Sequence, residues 1–195
     1  MNFHLHFSKK YDFLTPNDLQ RFLQITTLKK FKRGEKLIDV GDESKKTFMV
    51  LKGLIRGYIT NYQGKEITTF LFREYHALAA YEPLILGEPS RQVFECLEAT
   101  EVLELDYEEL DKLAKSNPRI KQAVDAIIME HLSVALRRNE SFILKSPEQR
   151  YLAFLENHGD MLQRVSQKHI ASYLGITAVS FSRLKKRIYE QQNKS

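Results

Sequence analysis

Ser166–Ile188, SQKHIASYLGITAVSFSRLKKRI, is the stretch on which the reading of this chain turns. Ile170, Ala171 and Leu174 fall at i, i+1 and i+4, the apolar positions of a short helix, and Gly175 ends it as a residue free to take positive φ. Thr177 then offers an N-cap for a second helix, on which Phe181, Leu184 and Ile188 make an i, i+3, i+7 apolar stripe. Small Ala171 sits where two helices crossing at a steep angle would touch. At about 100° per residue, the opposite side of the second helix carries Val179, Ser182, Arg183 and Lys186. That face is basic and polar, with one exposed apolar residue.

Ala171, Gly175, Ile176, Phe181 and Leu184 together resemble the helix-turn-helix of DNA-binding proteins. The plainer alternative is an amphipathic hairpin with a solvated basic face, and charge placement bears on the choice. From Val165 to Ser195 six basic residues (Lys168, Arg183, Lys185, Lys186, Arg187 and Lys194) stand against one acidic residue, Glu190. This stretch therefore carries the whole net charge of +5, and residues 1–164 sum to zero. A footprint concentrated on one motif suits phosphate binding better than a diffusely basic surface does.

At 195 residues and 43% hydrophobic, the chain can bury one or two cores. It has no run of about 18 apolar residues, so no membrane span is expected. The N-terminus, MNFHLHFSKKYDFL, lacks the pattern of a secretory signal, and a cytoplasmic location is the expectation. Cys96 is the only cysteine, which excludes an intrachain disulfide, a zinc cluster and a four-cysteine iron–sulfur centre within one chain. His4 and His6 form a spaced pair with no third ligand, and His76 and Cys96 read as a solvated histidine and a small core residue rather than a haem or redox sensor. No metal and no cofactor is expected. No nucleophile–base pair or phosphate loop points to an enzyme.

Thr15-Pro16 opens a helix with an apolar face of Leu19, Phe22 and Leu23, which ends before Lys29-Lys30-Phe31. From Phe31 to Leu105 short apolar runs alternate with turn residues. These are EKLIDV between Gly34 and Gly41-Asp42, Phe48–Leu51 before Lys52-Gly53, Leu54–Thr60 before Asn61–Gly64, Glu66–Phe72, Val93–Leu97 and Glu101–Leu105. The texture is that of an antiparallel barrel or sandwich. Tyr107–Lys115 reads as a short helix closed by Ser116-Asn117-Pro118, and Pro118 to about Phe142 as a long uninterrupted one. Ile120, Val124, Ile127, His131 and Val134 follow a/d spacing on it, and Ile128, Leu132, Ala135 and Phe142 give a second stripe. Two apolar sides must both be buried, one on the β-domain and the other on the same helix of a second subunit, the alternative being a monomer with the helix buried inside one chain. Lys145–Glu148 is a linker into a helix over Glu148–Asn157, and Met161–Val165 reads as a brief strand.

At Phe31–Glu35, Gly41-Asp42 and Phe48–Gly53 the order of features resembles the cyclic-nucleotide-binding β-roll. With the long helix and the Ser166–Ile188 motif, residues 15–190 resemble the Crp/Fnr superfamily of bacterial transcription regulators. The resemblance implies an α+β chain in three parts. These are a jelly-roll-like antiparallel β-roll sensor with flanking helices (1–116), a long helix forming a parallel homodimer (117–144) and a helix-turn-helix domain with an incomplete wing (145–195). Aligned on Glu101–Leu105, the family's Gly-Glu positions fall on Ala79 and Ala80 and its phosphate-gripping arginine on Ser90, beside Arg91. Glu82 and Glu88 lie out of place for the ribose carboxylate. The pocket is degenerate, and the expected effector is an unknown small molecule other than cyclic AMP, or none.

The resemblance implies a dimer on a palindromic double-stranded DNA operator, with RNA polymerase as a further partner. Arg183 matches the position that reads a base, and Ala178 and Val179 match two more that can offer only apolar contact. Ser166, Lys168, Thr177 and Ser180 match phosphate-contacting positions, and Lys186 extends the basic face toward phosphate. The a/d residues Ile120, Val124, Ile127, His131 and Val134 are assigned to the dimer interface. The alternative function is a small-molecule-binding regulator acting through a protein partner, its DNA domain vestigial.

Overall fold

Thr15 and Asp18 set the first well-defined helix. The Asp18 amide donates to Thr15 Oγ1 at 3.2 Å and the Thr15 amide donates to Asp18 Oδ2 at 2.9 Å, a reciprocal cap. With Pro16 at its first position this opens α2 (Pro16–Gln24), preceded by α1 (Phe3–Lys10). Asp18 is 1% exposed and also accepts from Asn117 Nδ2 and Arg119 Nε, both at 2.6 Å. That network ties α2 to the junction of α3 (Tyr107–Ser116) and α4 (Pro118–Leu144).

The computed structural model describes residues 3–192; the side chain of His4, Lys194 and the rest of the tail 193–195 lie outside the described residues. Two compact units are present, Met1–Gly57 with Leu71–Val134 and Tyr58–Phe70 with Ala135–Ser195. Eight strands form two antiparallel four-stranded sheets. One has the order β1 (Thr27–Phe31), β8 (Thr100–Asp106), β3 (Lys46–Lys52), β6 (Ala77–Ala79). The other has the order β2 (Lys36–Ile38), β7 (Val93–Cys96), β4 (Ile55–Thr60), β5 (Glu66–Phe72). Phe48, Val50, Leu54, Ile55, Leu78, Phe94, Cys96 and Val102 are at most 2% exposed and form the core of this β-roll. Gly53, in the β3–β4 turn, has φ +104°, and a Cβ there would stand 2.5 Å from Thr100 Oγ1, so only glycine fits.

Phe7, Tyr11, Leu19, Met49, Leu103 and Ala123 make a second apolar cluster with Ile127 against it, so α1, α2 and the first half of α4 cover the first sheet. Leu113, Ala114 and Ile120 make a third, joined by Val124. Strand β1 was not foreseen. Four of its five residues, Thr27 to Lys30, are exposed, so TLKKF carries no alternation; it is a charged edge strand, blunted by Lys29 and Lys30.

In the second unit Ser146 and Gln149 repeat the reciprocal cap and open α5 (Pro147–His158). The expected strand at Met161–Val165 is instead a 3-10 turn, Gly159–Gln163. The Val165 and Arg164 amides both donate to Met161 O, and Met161 and Val165 are buried. A lone strand would have had no ladder partner, whereas a turn satisfies its own backbone and still buries both side chains. Helices α6 (Gln167–Tyr173) and α7 (Ala178–Gln192) follow. Tyr151, Phe154, Met161, Ile170, Ala171, Leu174, Phe181, Leu184 and Ile188 form their common core, with Tyr151 edge-on to Phe181 at 5.2 Å. Among the described residues no helix is long and apolar enough to cross a membrane.

Candidate nucleic-acid interface

The turn between α6 and α7 is built as its residue types require. The α6 N-cap is Ser166, whose side chain accepts from the His169 amide at 3.3 Å. Gly175 follows Leu174 with φ +70°, and the Ile176 amide donates to Ala171 O at 3.0 Å. Thr177 caps α7 by accepting from the Ser180 amide at 3.1 Å, while its hydroxyl donates to Ser180 Oγ at 2.9 Å. Phe181 is fully buried, and Leu184 and Ile188 are buried beside it.

The other side of α7 is open. Ala178, Val179, Ser180, Ser182, Arg183 and Lys186 are all exposed, Val179 at 62%. Among the described residues Arg183 has no ion-pair partner, whereas Lys186 lies 3.8 Å from Glu190 and Arg187 pairs with Glu148 of α5. Arg187 is thus spent on holding α7 to α5, and Arg183 presents its whole fork of donors outward. Lys168 is exposed near the start of α6. A helix buried on one side, with a free guanidinium and apolar Val179 on the other, can enter a groove and address base edges. Ser182, left out of the sequence-derived reading set, sits on the same face between Val179 and Arg183.

Of the expected effector residues, two are buried and the arginine faces a carboxylate. Ala80 and Ser90 are 1% exposed, and Ala79 ends β6. Ser90 Oγ donates to Gln92 O at 2.9 Å, and its backbone pairs with Gly41 and Asp42. The Arg91 side chain is 66% exposed, with Nε 3.7 Å from Oε1 of Glu82, which is itself 1% exposed. A carboxylate, not an open anion site, faces this guanidinium. Glu82 begins a π turn, Glu82–Leu86, whose fold sequence spacing does not signal. Arg56, buried in β4 with Nη1 3.8 Å from Glu95 Oε2, was also missed; its one sign was a charge inside the apolar run LIRGYI.

His76 Nδ1 lies 3.1 Å from Arg73 O, and burial lowers the His76 pKa. Cys96 is fully buried, which pushes its thiol up to about 11. Among the described residues no group of three or more His, Cys, Asp or Glu could hold a metal ion.

The stripe assigned to the dimer interface requires correction. Ile120 is 4% exposed, Val124 and Ile127 pack on the chain's own clusters, and His131 lies edge-on to Phe72 at 6.2 Å. Only Val134, at 38%, remains open. The a/d spacing was right for a buried stripe, but small Ala123 lets this one lie close to the β-roll. The uncovered stripe is Ile128, Met129, Leu132, Leu136 and Ile143, each 49–72% exposed. Met129, Leu132, Leu136, Asn139 and Ile143 keep heptad steps along it.

A β-roll, a long helix with a free heptad seam and a helix-turn-helix with an open basic face define a DNA-binding transcription regulator. The family model for the cyclic nucleotide-binding domain matches residues 28–117. Over 190 residues the chain is 30% identical to the fumarate and nitrate reduction regulatory protein of Vibrio cholerae, covering 88% of this chain and 72% of that protein. The fold is similar to that of the c-di-GMP responsive global regulator CLP of Xanthomonas campestris, with a TM-score of 0.75 at 16% identity over 91% of this chain and 93% of that one. FixK2 from Bradyrhizobium japonicum gives a TM-score of 0.76 at 19% identity, over 86% of each chain. The chain belongs to the Crp/Fnr superfamily of DNA-binding transcription regulators.

Proposed function

We propose that two copies of this chain join along the exposed α4 seam and present their α7 helices to successive major grooves of a palindromic operator in the cytoplasm. Residues 1–116 act as the sensor, 117–144 as the dimerisation helix and 145–195 as the DNA-binding domain. Arg183 reads a guanine, and Ala178 and Val179 make apolar contact, for example with a thymine methyl. Ser166, Lys168, Thr177, Ser180 and Lys186 contact phosphates.

One observation carries this reading: Arg183 is exposed and, among the described residues, has no ion-pair partner, on a helix whose opposite face is buried. The Glu82–Arg91 pair supports an effector other than cyclic AMP, or none, since it already answers the guanidinium a cyclic phosphate would need. RNA polymerase is the further partner in this reading. Selection of bound duplexes from a random pool tests it. The enriched sites are expected to be two-fold symmetric, with a guanine in each half-site. Non-palindromic enrichment, or none, overturns it.

A further inference from the structure

The C-terminal end of α4 grips the helix-turn-helix through a four-layer stack. The Arg138 guanidinium lies between two rings, 4.2 Å from the Tyr173 centroid and 4.9 Å from that of Phe142. Arg150 lies 4.9 Å from the Phe142 centroid as well. Planar guanidinium groups stack on aromatic faces, and here two of them also reach backbone carbonyls. Arg138 Nη2 donates to Tyr173 O and to Thr68 O, both at 3.0 Å. Arg150 Nε donates to Leu174 O at 3.0 Å and its Nη1 to Lys145 O at 2.7 Å. Tyr173 and Leu174 end α6, where helix carbonyls lack intrahelical donors and the dipole favours cations. Ser172 adds a second tie to the β4–β5 hairpin, accepting from the Thr68 amide at 2.9 Å and donating to Glu66 O at 3.3 Å.

We infer that Arg138 and Arg150, with Phe142 between them, are positioning residues for DNA reading, setting where α7 stands by holding the carbonyl end of α6. The inference rests on the reading of α7 as the base-reading helix. Only Gly175, Ile176 and Thr177 separate the gripped carbonyls from α7, so a shift of the α6 end is passed to the recognition face. Arg138 and Arg150 are half-buried, outside the Val179–Arg183–Lys186 face, and act without touching a base. Because Arg138 bridges α6 to the β5 backbone, movement of the 58–70 hairpin reaches α7 through the same side chain.

The test compares wild type with Arg138→Lys, which keeps the charge but lacks the planar fork, and with the milder Ser172→Ala. Affinity is measured for a duplex enriched from the random pool and for an unrelated duplex of equal length, over a salt series. Exchange of the Thr68 amide is followed by NMR. Arg138→Lys should lower the preference for the enriched duplex roughly tenfold, the loss expected from one charge-assisted hydrogen bond. Binding to the unrelated duplex and the salt slope should stay as in wild type, and Thr68 exchange should quicken by a similar factor. Ser172→Ala removes the acceptor of the Thr68 amide and so quickens its exchange in any case; its loss of preference for the enriched duplex decides the matter if Arg138→Lys does not fold. Unchanged preference and unchanged Thr68 exchange overturn the inference, as does an equal loss on both duplexes. If wild type binds neither duplex, the reading of α7 fails instead, and Thr68 exchange alone decides whether Arg138 grips α6.

Discussion

Phe142 fills the space in which a side chain at position 175 would have to stand: a Cβ on Gly175 would lie 2.6 Å from Phe142 Cε1. Gly175 also has φ +70°, so backbone conformation and packing both demand glycine at the turn. Gly175→Ala should destabilise the helix-turn-helix by at least about 1–3 kcal/mol, the ordinary cost of left-handed strain, with the contact adding to it. Adding Phe142→Leu should recover the contact part, so the double variant is less destabilised than the two single losses summed. Urea titration of the four proteins checks this, and simple additivity would show that Phe142 does not confine Gly175.

Asp18 accepts hydrogen bonds from Thr15, Asn117 and Arg119 while fully buried. Chiefly through Arg119, its carboxyl is held well below the ordinary 3.8. A depressed folded pKa contributes stability that is fully present above about 3.8 and is lost as pH falls below it toward the folded value. Asp18→Asn should therefore cost about 3 kcal/mol near neutrality, the low end for a buried pair because Arg119 is half exposed. The gap from wild type should narrow by pH 3. Denaturant titrations at pH 6 and pH 3 give the comparison.

Burial lowers the pKa of both His76 and His131 from 6.5. The unfolded chain then binds protons more readily, so their neutral forms contribute stability that is complete above about 6.5 and lost as pH falls through that range. Stability should drop between pH 7.5 and pH 5.5, well above the window of Asp18. His131→Gln should flatten that slope, as followed by thermal unfolding across the range. A slope unchanged in the variant would assign the loss elsewhere.

The two stripes of α4 should separate under mutation. Leu132→Lys places a charge in the exposed seam and should give a folded monomer by analytical ultracentrifugation. Ile120→Ala opens the covered side and should cost about 2–4 kcal/mol of stability without changing association. A Leu132→Lys protein that remains dimeric would place the interface off this seam.

The helix-turn-helix was legible because its demands are local: apolar spacing, one left-handed glycine and two hydroxyl caps all fall within Ser166–Ile188. The β-roll was legible through its glycine turns, except where a strand had no buried face, as in Thr27–Phe31. The covered stripe of α4 could be read, but not that the β-roll would cover it, since that depends on the close approach at Ala123, and of the exposed stripe only Ile128 and Leu132 were read. The Arg138 stack left no sequence signal. It joins residues 68, 138, 142, 150 and 173, of which only 138 and 142 share a helical spacing; the rest meet through tertiary packing. Glu82 lies out of place for a ribose carboxylate in the sequence, and its approach to Arg91 depends on the π turn, which spacing does not signal.

Arg183 is the residue on which the account stands. The most direct measurement is the affinity of wild type and Arg183→Ala for the enriched duplex and for versions of it with each half-site guanine replaced. Arg183→Ala should lose about 1–3 kcal/mol per half-site contact, with tolerance of any base at the replaced position and little change on unrelated DNA. Equal binding of both proteins to the enriched duplex, with the base preference of wild type retained, would contradict it.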